Sequence, residues 1–283
     1  MKTSHRTLIL TGSAASIAFV AMLIAGCGGG GTTGSGGASS ATGAGGATTG
    51  TGTTSATGTG GDGSGGSTTG TGGAVACGPD VQAPIEDMLG TKDPEMGKFS
   101  LDQALAELPQ GPGPLRAIFD TDLGTITCEL QADKAPNSVA NFVGLTRGRR
   151  AWKDPVSKQW VRRRFYDGLK FHRVLPDFVA QGGDPLGTGF GGPGYKILDE
   201  LVGLKHVAGT LAYANSGANT DGSQFYITEK PQPQLDAMFT IFGFCKEVDV
   251  VTKLTHVPTT GAPNDTPLTP LHMKTVTISR CAP

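Results

Sequence analysis

Apolar and polar residues alternate with a period of two over most of the chain beyond residue 110. This pattern predicts strands at Leu115–Thr121, Thr125–Gln131, Leu169–Leu175, Phe178–Gly182, Thr210–Ala214, Phe225–Thr228, Met238–Phe244 and His272–Arg280. The first two flank Asp122-Leu123-Gly124, a hairpin turn signal. The period shifts to that of a helix twice. Pro136 opens a helix with Val139, Phe142, Val143 and Thr146 on one stripe, closed by Gly148. A second helix fits Lys246–Thr255, with Val250, Val251 and Leu254 inward. Eight short strands and two helices predict a mainly β domain over 111–283, a closed eight-stranded antiparallel β-barrel capped by two α-helices.

Residues 75–110 form a lead-in to this domain. Ser100 can cap a short helix through Leu108, with Leu101, Ala104, Leu105 and Leu108 on one face and Pro109 ending it. So short a helix is marginal alone, so it is expected to pack on the main domain. Between Gly148 and Phe165 no period emerges. That stretch, with Arg147 before it, carries Arg149, Arg150, Lys153, Lys158 and Arg162 to Arg164, opposed in sequence by Asp154 alone. The main expectation is a solvated loop; the alternative is a basic patch for anionic surfaces or acidic clients.

The first 74 residues differ in kind. Lys2 and Arg6 precede an uncharged, largely apolar run from Leu8 to Ala25, the form of an export signal over 1–26. Ile24-Ala25-Gly26-Cys27 resembles a bacterial lipobox, which implies cleavage before Cys27 and lipidation of that cysteine. Gly28 after it resembles signals for the outer membrane, so a lipid-anchored place in the cell envelope is expected. Residues 27–74 are nearly all Gly, Ser, Thr and Ala, too poor in apolar surface to offset ordering entropy. They read as a disordered tether with a typical span of about 35–40 Å.

Because the tether holds much of the chain's 45 glycines, whole-chain composition understates how ordinary the rest is. A net charge of −1 gives no support to a nucleic-acid partner. Beyond Cys27 there are four cysteines, Cys77, Cys128, Cys245 and Cys281. In an oxidising compartment four allow three disulfide connectivities, while Cys128, alternating with Ile126 and Leu130, also fits a buried free thiol. Their spacing matches no zinc pattern, so no metal is expected. Gly187 to Gly192 matches GxGxxG, but Pro193 and Gly194 follow where a nucleotide site needs a helix.

Two blocks carry the chemistry: FHRVLPDFVAQGGDPLGTG at 171–189 and GTLAYANSGANTDGSQFYIT at 209–228. They offer neither a nucleophile–base pair nor a metal set, but an apolar groove with one guanidinium. The ordered conjunction FHR…F.AQGGD…ANS…GSQF.I…LD…FG resembles the cyclophilin family of peptidyl-prolyl cis-trans isomerases from about 114 to 281. The resemblance implies the same barrel. It implies Arg173 as the catalytic cation, with Gln181 orienting it and binding substrate backbone, and His172 beside the groove, shaping it. Phe178, Val179, Tyr226 and Leu235 are implied to line a proline pocket, with Phe239 at its edge. Ala214 and Asn215 are implied to present backbone groups to the residue before proline, supported by Gln224. Gln234 stands where many eukaryotic members carry Trp, which removes the expectation of tight cyclosporin binding. The expected role is isomerisation during folding of envelope proteins. The alternative is a non-catalytic module or holdase that binds proline segments, supported mainly by the basic loop. Proline-containing segments of clients, and a membrane through the lipid on Cys27, are the expected partners. No nucleic acid and no cofactor are expected, and the protein is expected to act as a monomer.

Overall fold

The computed structural model describes residues 80, 83–109 and 111–280. The expected signal segment, Cys27, the tether, Cys77 and Cys281 lie outside the described residues. Among the described residues no helix is long and apolar enough to cross a membrane.

All eight expected strands form, with β1 at Arg116–Thr121, β2 at Gly124–Leu130, β5 at Arg173–Val174, β6 at Val179–Gly182 and β7 at Thr210–Tyr213. The others are β8 at Phe225–Thr228, β9 at Ile241–Cys245 and β10 at Met273–Ser279. Trp152–Lys153 and Trp160–Val161 add a small separate hairpin, β3 and β4, inside the stretch without a period. The large sheet runs β10-β1-β2-β9-β7-β8-β6-β5 with every pair antiparallel. The expected closed barrel is corrected here. The sheet is a curled half-barrel, because no ladder joins β5 to β10. Where its two ends approach, pairing is limited to an isolated Lys170–His272 bridge and a few backbone bonds such as Phe171 N to Leu271 O, 2.9 Å. With β5 two residues long, its edge is too short to support a further ladder.

Inside the curl, Phe119, Phe142, Tyr166, Phe225 and Phe242 form a ring cluster with centroids 5.0–6.0 Å apart. Helix α2, Pro136–Arg147, supplies Phe142 and starts with proline as expected. Its own N-terminus has no side-chain cap. Glu200 serves instead, accepting from the backbone N–H of Asn137 and Ser138 at 3.2 and 2.8 Å, an anion where the helix dipole favours one. Gly148 ends the helix at φ +70°, donating to Leu145 O, and a Cβ there would meet the Arg163 backbone. Helix α3 covers Val248–Thr255, shorter at its start than expected, and buries Val250, Val251 and Leu254.

Every residue of α2 from Ser138 to Arg147 is buried, whereas a one-sided stripe was expected. The lead-in explains this. Ser100 caps helix α1, Leu101–Leu105, with a reciprocal Ser100–Gln103 box. Phe99 sits so close to α2 that a Cβ on Gly144 would fall 2.3 Å from its ring. The helix stops short of the expected Leu108. Arg147 Nη1 binds the Ala104 and Ala106 carbonyls that further turns would use.

The arginines after α2 are neither solvated nor opposed by Asp154 alone, which corrects that part of the expectation, whereas Lys153 and Lys158 stay exposed. Arg147 pairs with Asp80 at 2.7 Å and has no exposed side-chain surface. Arg150, 2% exposed, meets Asp93 at 2.8 Å and also Glu95, and its guanidinium lies 4.1 Å from the Tyr195 ring. Arg162 pairs with Glu86 and Glu95, Arg149 with Glu107, and Arg163 with Asp154. Apart from Asp154, these acids come from the lead-in, distant in sequence.

A disulfide joins Cys128 to Cys245 across the directly opposed β2–β9 pair, replacing the free-thiol reading of Cys128.

Removing one side of a buried ion pair costs about 3–5 kcal/mol because the remaining charge stays desolvated. Asp93→Asn with Glu95→Gln, which strips Arg150 of both partners, is expected to lower urea stability by that order. A loss within error of zero would show that Arg150 is hydrated. The Cys128–Cys245 bridge spans 117 residues. Its replacement by two alanines should lower the unfolding free energy by about 2–4 kcal/mol, read from denaturant midpoints.

Candidate active site

Cross-strand register decides which side chains share a face. Arg173 stands opposite Gln181, Gln181 opposite Tyr226, Tyr226 opposite Ala212, and Ala212 opposite Ile241. Opposed residues point the same way, so these five form one row across β5, β6, β8, β7 and β9. The neighbouring row, Val174, Ala180, Ile227 and Leu211, points into the curl and belongs to the main core. The first row therefore lies on the outer face. A bulge in the β7–β9 pairing lets Ile241 join it while Phe242 turns inward.

On that outer face is a second apolar cluster, separate from the core. It holds Val179, Ala212, Tyr226, Leu235 and Ile241, with Phe178, Ala214, Phe239, Leu204 and Phe244 packed against it. Six residues expected around the pocket, Phe178, Val179, Ala214, Tyr226, Leu235 and Phe239, are thus brought together. Tyr226 and Phe239 meet edge to face at 5.7 Å. Leu235 arrives on a one-turn 3-10 helix, Pro233–Leu235.

Arg173 occupies the end of the row. Its side chain is about one-third exposed, and Asp265 Oδ2 lies 3.9 Å from Nη2. Burial presses its guanidinium below the ordinary value and Asp265 opposes this, but a guanidinium remains charged. Asp265 was not anticipated. It belongs to the loop before β10, and its backbone O accepts from Val174 N at 3.0 Å. Gln181 does not bond Arg173 as expected. Its Nε2 donates to Gln224 Oε1 at 3.1 Å. Gln224 Nε2 in turn donates to the carbonyls of Gly189 and Gly191, both at 2.9 Å. Its backbone O accepts from Ala214 N at 2.9 Å. Gln224 thus ties Gln181, Ala214 and the glycine loop together. Asn215 is fixed by its side chain, whose Nδ2 donates to Asp221 at 3.0 Å.

That glycine loop winds on Asp184, whose carboxylate accepts from the N–H of Leu186, Thr188 and Gly189 at 2.7, 2.9 and 2.6 Å. This is why the GxGxxG spacing exists here: the glycines let backbone close around a carboxylate, and a Cβ on Gly191 would strike Asp184.

His172 is buried, and neither ring nitrogen has a hydrogen-bond partner among the described residues. Burial lowers its pKa, with Asp184 opposing and Arg173 adding to the fall. A second histidine escaped the sequence reading. His206 places Nε2 2.9 Å from the Tyr226 hydroxyl and Nδ1 3.1 Å from Asp236, below the apolar cluster. Burial lowers its pKa although Asp236 opposes. A lone histidine next to Lys205 carries no periodic or motif signal, so it had to be found in space.

Asp177, Glu229 and His256 bring ligand-type atoms within 4.8 Å of one another, but Lys230 already pairs with Asp177 at 2.6 Å. Glu229 accepts from Asp177 N and the Thr255 hydroxyl.

The family model for cyclophilin type peptidyl-prolyl cis-trans isomerases matches residues 116–280, more than half of the chain. The chain belongs to the cyclophilin family. A peptidyl-prolyl cis-trans isomerase of Synechococcus elongatus is 49% identical over 128 residues, 45% of this chain and 78% of that protein. Peptidyl-prolyl cis-trans isomerase A of Mycobacterium tuberculosis is 41% identical over 168 residues, 58% of this chain and 91% of that protein. A solved cyclophilin from Cryptosporidium parvum aligns at 30% identity and TM-score 0.49, covering 58% of this chain and 96% of that one. The matched span begins after the lead-in, so the acids that pair with Arg147, Arg150 and Arg162 lie outside the family region.

Both buried histidines are held neutral by their surroundings, so the unfolded chain binds protons that the native chain refuses. Stability is therefore full above the ordinary histidine value of about 6.5 and is lost as pH falls below it. Urea midpoints should drop between about pH 7.5 and 5.5, and His206→Gln should flatten part of that drop. A midpoint unchanged over this range would show both rings solvated.

Proposed function

We propose that this cyclophilin turns X-Pro bonds on the outer face of its sheet, with proline seated on the Phe178–Val179–Tyr226–Leu235–Phe239 cluster and Arg173 at its rim. Amide rotation faces a barrier of about 18–20 kcal/mol, set by resonance in the C–N bond. No proton needs to leave carbon and no covalent bond needs to form. A donor near the prolyl nitrogen favours the twisted amide, where that nitrogen regains its lone pair, over either planar isomer. Arg173 is that donor. One hydrogen bond to a charged group contributes about 1.5–3 kcal/mol, short of the roughly 6 kcal/mol that a 10⁴-fold gain requires. The remainder comes from a half-desolvated guanidinium and a pocket that holds the ring while the preceding residue swings. Gln181 binds the substrate backbone, steadied by Gln224. Ala214 and Asn215 receive the residue before proline, and His172 shapes the wall behind Arg173.

The observation that carries this reading is the register-locked row that sets one cation at the edge of an apolar cluster lying outside the core. The reading as a plain binding module loses the arginines of the basic stretch as support, because they are paired with acids, and keeps only its exposed lysines. We further propose that the protein acts at the cell envelope, anchored through Cys27 and assisting exported clients. The Cys128–Cys245 bridge supports this, since structural disulfides persist in oxidising compartments.

In a protease-coupled assay on a proline tetrapeptide, Arg173→Ala should lower kcat/KM about tenfold or more, at least about 1.4 kcal/mol. Arg173→Lys should restore part of the loss, as charge returns without the planar fork. Wild-type activity should be flat between about pH 7 and 9, since guanidinium does not titrate there. Equal rates in wild type and Arg173→Ala would end the assignment.

A further inference from the structure

Between the β3–β4 hairpin and the loop 185–196 lies a cavity of about 450 Å³ that the isomerase reading leaves unused. The two walls are tied by Lys153 N, which donates to Pro193 O at 2.9 Å. The floor is stiff: Tyr195 stacks on Trp160 and lies under the Arg150 guanidinium. Three exposed lysines, Lys153, Lys158 and Lys196, line the cavity. Lysine ion pairs among the described residues involve Lys134, Lys205, Lys230 and Lys253, so these three have no carboxylate partner there. The arginines on either side of this hairpin, by contrast, each meet a carboxylate. The cavity's one acid, Asp154, is already engaged by Arg163 and by the N–H of Val156 and Ser157. Beside the cations stand two exposed apolar side chains, Leu186 at 53% and Phe190 at 68%.

The cavity adjoins the groove. Gly191 lines it, and the Gly191 carbonyl is bound by the same Gln224 that holds Gln181 opposite Arg173. We propose that it is an extended substrate subsite that takes an acidic stretch with one apolar residue on the flank of the prolyl segment. Charge complementarity selects this occupant: three cations lack a carboxylate partner, although Lys158 donates to the Pro155 carbonyl at 2.6 Å, and Leu186 with Phe190 offers an apolar seat. The proposal rests on the isomerase reading and adds a preference to it.

The test compares peptides built on one Ala-Pro core, extended on either side by Glu-Glu-Leu or by Lys-Lys-Leu, and read by fluorescence anisotropy on the full chain. With one orientation the acidic peptide should bind about fivefold tighter than its lysine twin, the scale that two partly exposed ion pairs supply. The ratio should collapse in Lys153→Gln/Lys158→Gln/Lys196→Gln and in high salt, as screening predicts. Equal affinities in both orientations, or a ratio that survives the triple variant, would overturn the subsite. So would a proline-free Glu-Glu-Leu peptide binding as tightly as the full acidic peptide, since the cavity would then be an independent anion site. Turnover of the bare core, and its loss in Arg173→Ala, reports on the isomerase reading separately, because the anisotropy ratio requires no turnover.

Discussion

Strand register is what makes one sheet serve as both core and candidate active-site surface. Side chains alternate with a period of two, so a slip of one residue between β6 and β8 would turn Tyr226 inward and expose Ile227. The aromatic packing around Phe225 and Phe119 resists such a slip, because each inward ring fills space its outward neighbour could not. Locking the inner row thereby aims the outer row. Arg173 and Tyr226 are placed by the same backbone ladders that bury Ala180 and Ile227.

The outer row gains rigidity from polar ties that run sideways. Gln224 links Gln181, Ala214 and two carbonyls of the glycine loop, and Asp184 holds that loop by three backbone N–H groups. Beneath the apolar cluster, His206 joins Tyr226 to Asp236. Proline isomerisation asks for little chemistry and much positioning, so a site built from backbone-anchored amides and packed rings suits it.

The lead-in changes the electrostatic character of the stretch that follows α2. Eight basic residues from 147 to 164 would repel one another if left together, yet five of the six arginines among them meet acids from residues 80 to 107 and Arg164 meets Asp167. Burying such pairs contributes little net stability by itself, but leaving one charge alone is costly, so the segment becomes an obligate part of the domain. Lys153 and Lys158 on the β3–β4 hairpin, and Lys196 facing it, have no carboxylate partner among the described residues. Their charge is what remains free to meet a ligand beside the groove.

Local patterning was enough to read much of this. Period-two alternation located all eight strands because half-buried strands must alternate, and proline and glycine marked both ends of α2 because their backbone limits act locally. The residues of the groove were legible through the ordered likeness of 171–189 and 209–228 to a known family, though not the hydrogen bonds among them. What stayed hidden depends on partners distant in the chain. The acids that cover Arg147 and Arg150 lie 55 to 67 residues away, and the Glu200 cap of α2 about as far. The hidden role of His206, the pairing of Cys128 with Cys245 and the failure of β5 and β10 to close the sheet share that origin. Contacts across such separations leave no periodic trace in a sequence; they exist once the sheet has curled and brought the segments together.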